Sequence, residues 1–309
     1  MTGDNRDPIE IEALEWFVRM KDDKVTPAER AGFDAWLKAD PAHPLAIERA
    51  QALWDRYDIV KPEYERLQRG RTVNRRSIAL GGLAALVGIP TAYYLTPPGL
   101  FADYVTDIAE RRSFTLPDGS EVELGSYSAV SLDFTPDKRG LTLHRGQGYF
   151  RVARNPDRPF VVEAGVGTVR ALGTEFDVKL LEEQTTVAVL EHAVAVRVRG
   201  QREMSVPAGT QVGYGSRTDL KPSPFDVATV GAWRRDRMVF EDVPLRRVLK
   251  ELERYRRGRI LLLDQSLGDI PVTAALDTKK HEAALGIIAD TLPIRVLDAG
   301  GYMAVVYAR

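Results

Sequence analysis

The sequence predicts a multidomain protein with a single membrane span: an all-α three-helix segment, one transmembrane helix, an antiparallel all-β domain and a small α/β module ordered βαβ-βαβ. Three observations predict this. Ser77–Leu95 is an uncharged stretch whose length is close to the roughly 20 residues that cross a bilayer core. Ahead of it, apolar residues recur at helical spacing; from Arg112 onward the period is two. Beyond Met238, strand-like and helix-like runs alternate.

The flanks of the apolar stretch differ in charge. Arg66, Arg69, Arg71, Arg75 and Arg76 precede it, whereas Leu95 to Glu110 holds only Asp103, Asp107 and Glu110. Cationic flanks stay on the cytoplasmic side, so the N-terminus is expected in the cytoplasm, with one membrane crossing and the C-terminal part exported. Arg69, Arg71, Arg75 and Arg76 are the anchor flank. Gly81, Gly82, Gly88 and Pro90 would make a poor soluble core helix, and an organised segment precedes the stretch, unlike a cleaved signal peptide. The Arg75-Arg76 pair fits twin-arginine export and plain positive-inside anchoring equally.

The expected segments are 1–65, helical and cytoplasmic; 66–76, basic and juxtamembrane; 77–95, the span; 96–111, a linker; 112–219, the β-rich domain; 220–237, a connector; and 238–309, the α/β module. A chain of 309 residues has room for these units, and an apolar fraction of 44% argues against long disorder. The absence of cysteine excludes disulfides, thiolate metal sites and cysteine nucleophiles.

In the first segment, Ile9, Ala13, Trp16, Phe17 and Met20 share one helical face over residues 8–21. Thr26-Pro27-Ala28-Glu29 starts a second helix: Thr26 caps, Pro27 sits where its missing N–H costs nothing, and Glu29 completes a capping box. That helix carries Phe33, Trp36 and Leu37 and ends before Asp40-Pro41. A third, from Pro44 to Tyr57, aligns Ala46, Ala50, Leu53, Trp54 and Tyr57. Trp16, Trp36 and Trp54 serve either as the core of a small bundle or as an aromatic face open to a partner. No basic stripe accompanies them, which argues for a protein partner and against direct nucleic-acid contact.

The β-rich domain opens with a hairpin, Ser113–Leu116 and Glu121–Leu124 around Pro117-Asp118-Gly119-Ser120. Further strands are expected at 130–134, 141–144, 148–153, 160–164, 169–172, 176–180, 186–190, 193–199 and 211–214, a spacing that suits an antiparallel sandwich or roll. In the last module, Met238–Phe240, Arg259–Leu263, Pro271–Leu276, Ile294–Leu297 and Tyr302–Val306 read as strands, with helices beginning near Leu245 and Ala283. The basic residues Arg246, Arg247, Lys250, Arg254, Arg256 and Arg257 read as a solvated helix face.

Little catalytic chemistry is visible. His43, His144, His192 and His281 lack metal-ligand spacing, and His281-Glu282 has no second histidine one turn on. There is no nucleophile elbow or phosphate loop. Asp118 and Glu121 read as turn and strand-surface residues. No cofactor or metal is expected, and no turnover enzyme.

As an ordered set, the motifs resemble the FecR family of membrane anti-sigma factors, regulators of TonB-dependent iron-siderophore signalling. Ala13–Arg19, Phe33–Leu37, Asp40–His43 and Leu53-Trp54 match that family's cytoplasmic part. Leu116–Ser120, Gly146–Val152, Pro159–Val162 and Leu172–Val178 match its periplasmic part. The final module resembles the short domain shared by secretins and TonB-dependent transducers. The resemblance implies that residues around Trp16, Phe17, Phe33, Trp36, Leu37 and Trp54 hold an extracytoplasmic-function sigma factor. It implies a single pass through the bacterial inner membrane, N-terminus cytoplasmic and C-terminus periplasmic, with the periplasmic part contacting the N-terminal signalling domain of a TonB-dependent outer-membrane receptor. Periplasmic and intramembrane proteases would then release the sigma factor. It also implies single-turnover self-cleavage between Gly173 and Thr174, in competition with a plain structural role as a strand bulge. Two other functions stay open on sequence: a membrane-anchored periplasmic scaffold or binding protein, and an exported hydrolase with unrecognised residues.

Overall fold

The computed structural model describes residues 8–20, 25–58, 99, 101–181, 184–215, 220–256, 258–299 and 303–309, with side chains of the third helix described as far as residue 52. The expected span at 77–95 and the arginines at 66–76 lie outside these residues. Among the described residues, no helix is long and apolar enough to cross a membrane. The chain divides into two compact units, one N-terminal, the other comprising residues 98–296 with 301–309.

The N-terminal unit holds α1 (Pro8–Met20), α2 (Pro27–Ala39) and α3 (Ala42–Asp58). The start of α2 follows from local chemistry. Thr26 N–H donates to Glu29 Oε2 at 2.8 Å and Glu29 N–H to Thr26 Oγ1 at 3.3 Å, a complete capping box. Those bonds from Thr26, with that from Arg19, hold the Glu29 carboxyl down at about 2. Asp40 turns extended before Pro41 and closes the helix. Ala13, Leu14, Phe17 and Val18 of α1 and Ala46 and Ala50 of α3 are buried.

The second unit begins with a β-sandwich. One sheet runs β1 (Tyr104–Val105), β4 (Ala129–Phe134), β5 (Arg139–Arg151), β6 (Phe160–Ala164), β7 (Gly167–Ala171), β10 (Ala193–Val198) and β11 (Met204–Pro207). The other runs β2 (Arg112–Thr115), β3 (Glu121–Leu124), β5 again, β8 (Glu175–Leu181), β9 (Gln184–Glu191), β12 (Thr210–Tyr214) and β13 (Ser223–Pro224). Between them lies an apolar core that includes Leu124, Leu143, Phe150, Phe160, Phe176 and Val187.

Two sequence expectations are corrected here. Residues 141–144 and 148–153 are not separate strands: β5 continues through Gly146, whose φ of +88° lets the strand bend from one sheet into the other without a turn. Nor is the domain antiparallel throughout, because β5 and β6 pair in parallel, Arg139 opposite Phe160 to Leu143 opposite Ala164. The intervening residues 152–159 carry the chain back to the same end of the sheet, which makes that pairing accessible.

The C-terminal module has its own core of Leu245, Val248, Leu285, Ile288, Ile294, Ala304 and neighbours. Strands β14 (Arg237–Pro244) and β16 (Pro271–Asp277) pair antiparallel, and β15 (Arg259–Leu262), β18 (Met303–Ala308) and β17 (Ile294–Ala299) form a second sheet. Helices α4 (Leu245–Glu253) and α5 (His281–Thr291) complete the βαβ-βαβ order read from the sequence.

Candidate functional site

Gly173 and Thr174 lie at the corner where the chain leaves β7 in one sheet and enters β8 in the other. Gly173 has φ +150°, which side-chain-bearing residues rarely adopt, and a Cβ there would lie 2.9 Å from Arg154 Cα. The residue is glycine for both reasons. Thr174 is buried, and among the described residues its Oγ1 has no hydrogen-bond partner. Buried hydroxyls are nearly always bonded, so an orphan at a backbone corner marks a place where stability is given up.

The peptides on either side are held. Asn155 N–H donates to Leu172 O and Val152 N–H to Thr174 O, both at 3.0 Å. The segment Val152–Asn155 is in turn fixed by the Leu116–Ser120 turn and by Arg139, the largest fully buried side chain among the described residues. Arg139 Nη1 donates to Asp118 Oδ2 at 2.7 Å and to Ala153 O at 2.8 Å, Nη2 to Asn155 O at 3.3 Å, and Nε to Arg158 O at 2.8 Å. Ser120 Oγ donates to Asp118 Oδ2 at 2.6 Å and accepts from Ala153 N–H at 3.0 Å. Burial alone would raise the Asp118 carboxyl; the bonds from Ser120 and Arg139 outweigh it and set the carboxyl below its usual value. Asp118 is a turn residue, as the sequence suggested, with this buried partner in addition.

A second polar cluster joins the sandwich to the C-terminal module, and sequence reasoning missed it. Along β8, Phe176, Val178 and Leu180 belong to the sandwich core, which sends Asp177 and Lys179 to the opposite face. There the module covers them. Asp177 accepts from Gln147 Nε2 at 2.8 Å and from Trp233 Nε1 at 3.0 Å. Arg254 Nη1 donates to Gln147 Oε1 at 3.1 Å and to Glu251 Oε1 at 2.5 Å, and Nη2 to Ser126 O at 3.1 Å. Lys179 Nζ donates to Glu251 Oε2 at 3.1 Å, and Ser126 Oγ to Arg254 O at 2.5 Å. Gly125 lies under this contact; a Cβ would meet the Trp233 ring at 3.3 Å and Arg254 Nη2 at 3.4 Å.

The expected solvated basic face of α4 is therefore corrected at its end, since Arg254 is buried. The connector 220–237 contributes Trp233, the fourth tryptophan and a buried one. The available signals were that tryptophan in an unassigned segment and an aspartate between Phe176 and Val178 in an apolar strand.

The two buried carboxylates of this seam titrate in opposite directions. For Glu251, burial raises the pKa, but Lys179 and Arg254 more than offset it and hold the value at about 2. Asp177 has mainly neutral donors, and burial pushes it up to about 6 from 3.8. The folded chain then keeps the Asp177 proton to higher pH than the unfolded chain. Its stabilising contribution is complete below 3.8 and is lost as pH rises through about 6. Between pH 7 and pH 4, wild type is expected to gain about 2–3 kcal/mol over Asp177→Asn. Thermal unfolding of both proteins across that range measures it; parallel pH curves would refute it.

In the N-terminal unit, α2 has no fully buried residue. Phe33, Trp36 and Leu37 are half-buried, with Trp16 of α1 at 5.8 Å from Phe33 between ring centroids. Trp36 stacks on His43 at 3.9 Å and donates to Glu12 Oε2 at 2.9 Å. Phe17 is buried between helices, and the side chain of Trp54 lies outside the described residues. The structure thus brings Trp16, Phe33, Trp36 and Leu37 onto one stripe. Among the described residues there is no group of three or more His, Cys, Asp or Glu that could hold a metal ion.

The chain thus comprises a three-helix unit and a second unit in which a β-sandwich is joined to a small α/β module by a buried polar seam. Residues 102–195 match the FecR protein family, and residues 12–53 match a domain of unknown function, DUF4880. The chain therefore carries a FecR-family domain, and the resemblance read from its motifs is borne out. Two crystal structures of a Parabacteroides distasonis protein described provisionally as an anti-sigma factor, at 1.65 and 2.50 Å, are similar to this chain. Each is 26% identical, with a TM-score of 0.60, over 67% of this chain and 98% of the other. No curated protein matches.

Proposed function

We propose that the chain is a single-pass inner-membrane anti-sigma factor that holds an extracytoplasmic-function sigma factor on its N-terminal helices. The observation that carries this is the α2 stripe: a helix that buries no residue fully, yet presents Phe33, Trp36 and Leu37 beside Trp16. Large half-covered aromatics on a small helical unit suit a protein partner. The FecR-family match and the likeness to proteins described as anti-sigma factors support the same role. The uncharged stretch 77–95 is the span, and the second unit is periplasmic. There it receives the signalling domain of a TonB-dependent receptor, and proteolysis then frees the sigma factor. Phe33→Asp removes apolar contact worth about 1.5–3 kcal/mol, so sigma-factor retention is expected to fall ten- to hundredfold with helicity unchanged. Co-purification of the sigma factor with the full chain tests this; equal retention by the variant would overturn the assigned face.

Gly173–Thr174 is the site of a single self-cleavage. Thr174 Oγ1 attacks the Gly173 carbonyl carbon; the C–O ester bond forms as the C–N amide bond breaks, and the hydroxyl proton passes to the Thr174 nitrogen. Water hydrolyses the ester, leaving a Gly173 carboxylate and a new N-terminal Thr174. Support comes from the buried hydroxyl, unpartnered among the described residues, and from the constrained corner. On denaturing gels, wild type is expected to run as two fragments and Thr174→Ala as one intact chain. A wild-type chain that stays intact would remove this step.

A further inference from the structure

We propose that Ser120 and Arg139 are positioning residues for cleavage at Gly173–Thr174, an inference that rests on the self-cleavage proposed above. The scissile peptide joins residues 173 and 174. Its two neighbouring peptides are each gripped by the same short segment: Leu172 O by Asn155 N–H and Thr174 O by Val152 N–H. The scissile unit is thus pinned on both sides, while the hydroxyl beside it has no partner among the described residues. Rotation that would relieve the corner requires Val152–Asn155 to move.

That segment is held from behind by buried polar groups. Ser120 Oγ accepts from Ala153 N–H, Arg139 donates to Ala153 O and Asn155 O, and Asp118 ties Ser120 and Arg139 together. Ser120 and Arg139 are 1% and 0% exposed, so water does not compete for these bonds. The Leu-Pro-Asp-Gly-Ser motif and the Leu-Gly-Thr motif, more than fifty residues apart in sequence, therefore act as one device. The first fixes the strap, the strap fixes the carbonyls, and the Gly173 carbonyl stays within reach of the Thr174 hydroxyl. Neither Ser120 nor Arg139 is assigned contact with the reacting atoms.

Geometric drift of about 1 Å can cost a hundredfold in rate, and loss of one of several holding bonds should cost less. Ser120→Ala is therefore expected to slow cleavage about tenfold or more, and Ser120→Thr, which restores the hydroxyl, to recover most of it. Full-length chain with a C-terminal tag, pulse-labelled in cells and followed on denaturing gels, measures the rates. Val212→Ala, a buried deletion in β12, provides a destabilised control away from the strap. Slow cleavage in Ser120→Ala, with recovery in Ser120→Thr and a normal rate in Val212→Ala at matched melting temperature, is the expected result. A wild-type rate in Ser120→Ala, or equal slowing in Val212→Ala, overturns the positioning role while self-cleavage stands. If wild type and Thr174→Ala both remain intact, self-cleavage itself fails and the positioning role falls with it.

Discussion

Truncation of Arg254 to alanine is expected to destabilise the second unit by about 3–5 kcal/mol, the range for breaking a buried ion pair from one side. Arg254 bonds Glu251, Gln147 and the Ser126 carbonyl in a place with almost no solvent. Without it, Glu251 keeps only Lys179 as a cationic partner in this cluster, and Gln147 Oε1 loses its donor. The cost is that of stranded polar groups, not of lost apolar area. A double variant, Arg254→Met with Glu251→Leu, should therefore recover much of the loss, because paired apolar replacements remove both the charge and its need for compensation. At about 2–4 °C per kcal/mol for a unit of this size, the single variant should melt roughly 6–20 °C lower. Thermal unfolding of the three proteins checks this; a double variant as unstable as the single would show that packing, not charge, holds the seam.

Arg139→Ala should be comparably severe. Arg139 is the only cation bonded to Asp118 among the described contacts, and it also satisfies carbonyls of Ala153, Asn155 and Arg158. Its removal leaves a carboxylate with 8% side-chain exposure unpaired and several acceptors unfilled, again about 3–5 kcal/mol. A double variant, Arg139→Met with Asp118→Asn, removes both charges of the pair and should recover part of the loss. The two melting temperatures, measured near neutral pH where Asp118 is ionised, separate the cases; equal losses would argue against an uncompensated charge as the cause.

What could be read from sequence was what is decided locally. Thr26–Glu29 announced a helix start because both halves of the capping box lie within one turn. The hairpin around Asp118-Gly119 was legible because its turn residues and alternation are adjacent. The long strand β5 reads as two pieces because glycine at 146 permits a turn and a bend alike, and only the presence of two sheets decides for the bend. A run of basic residues on a helix reads as a solvated face, which Arg254 escapes because its partners Gln147 and Ser126 lie more than a hundred residues away. The Gly173–Thr174 pair was visible as a motif, but its strap and brace depend on contacts that no short window contains.

The sandwich and the module each have a separate oily core, while many of the bonds between them are made by amides, carboxylates and cations around a single indole. A joint of that composition has an unusual thermal character. Parting it would wet these polar groups along with the indole, and because polar exposure offsets apolar exposure, the heat-capacity change should be smaller than for an apolar joint of equal area. Cooling, which weakens contacts between oily faces, should affect this joint less than either core. Warm and cold habitats would thus find the two halves about equally attached, and acidity would be the condition that shifts their balance.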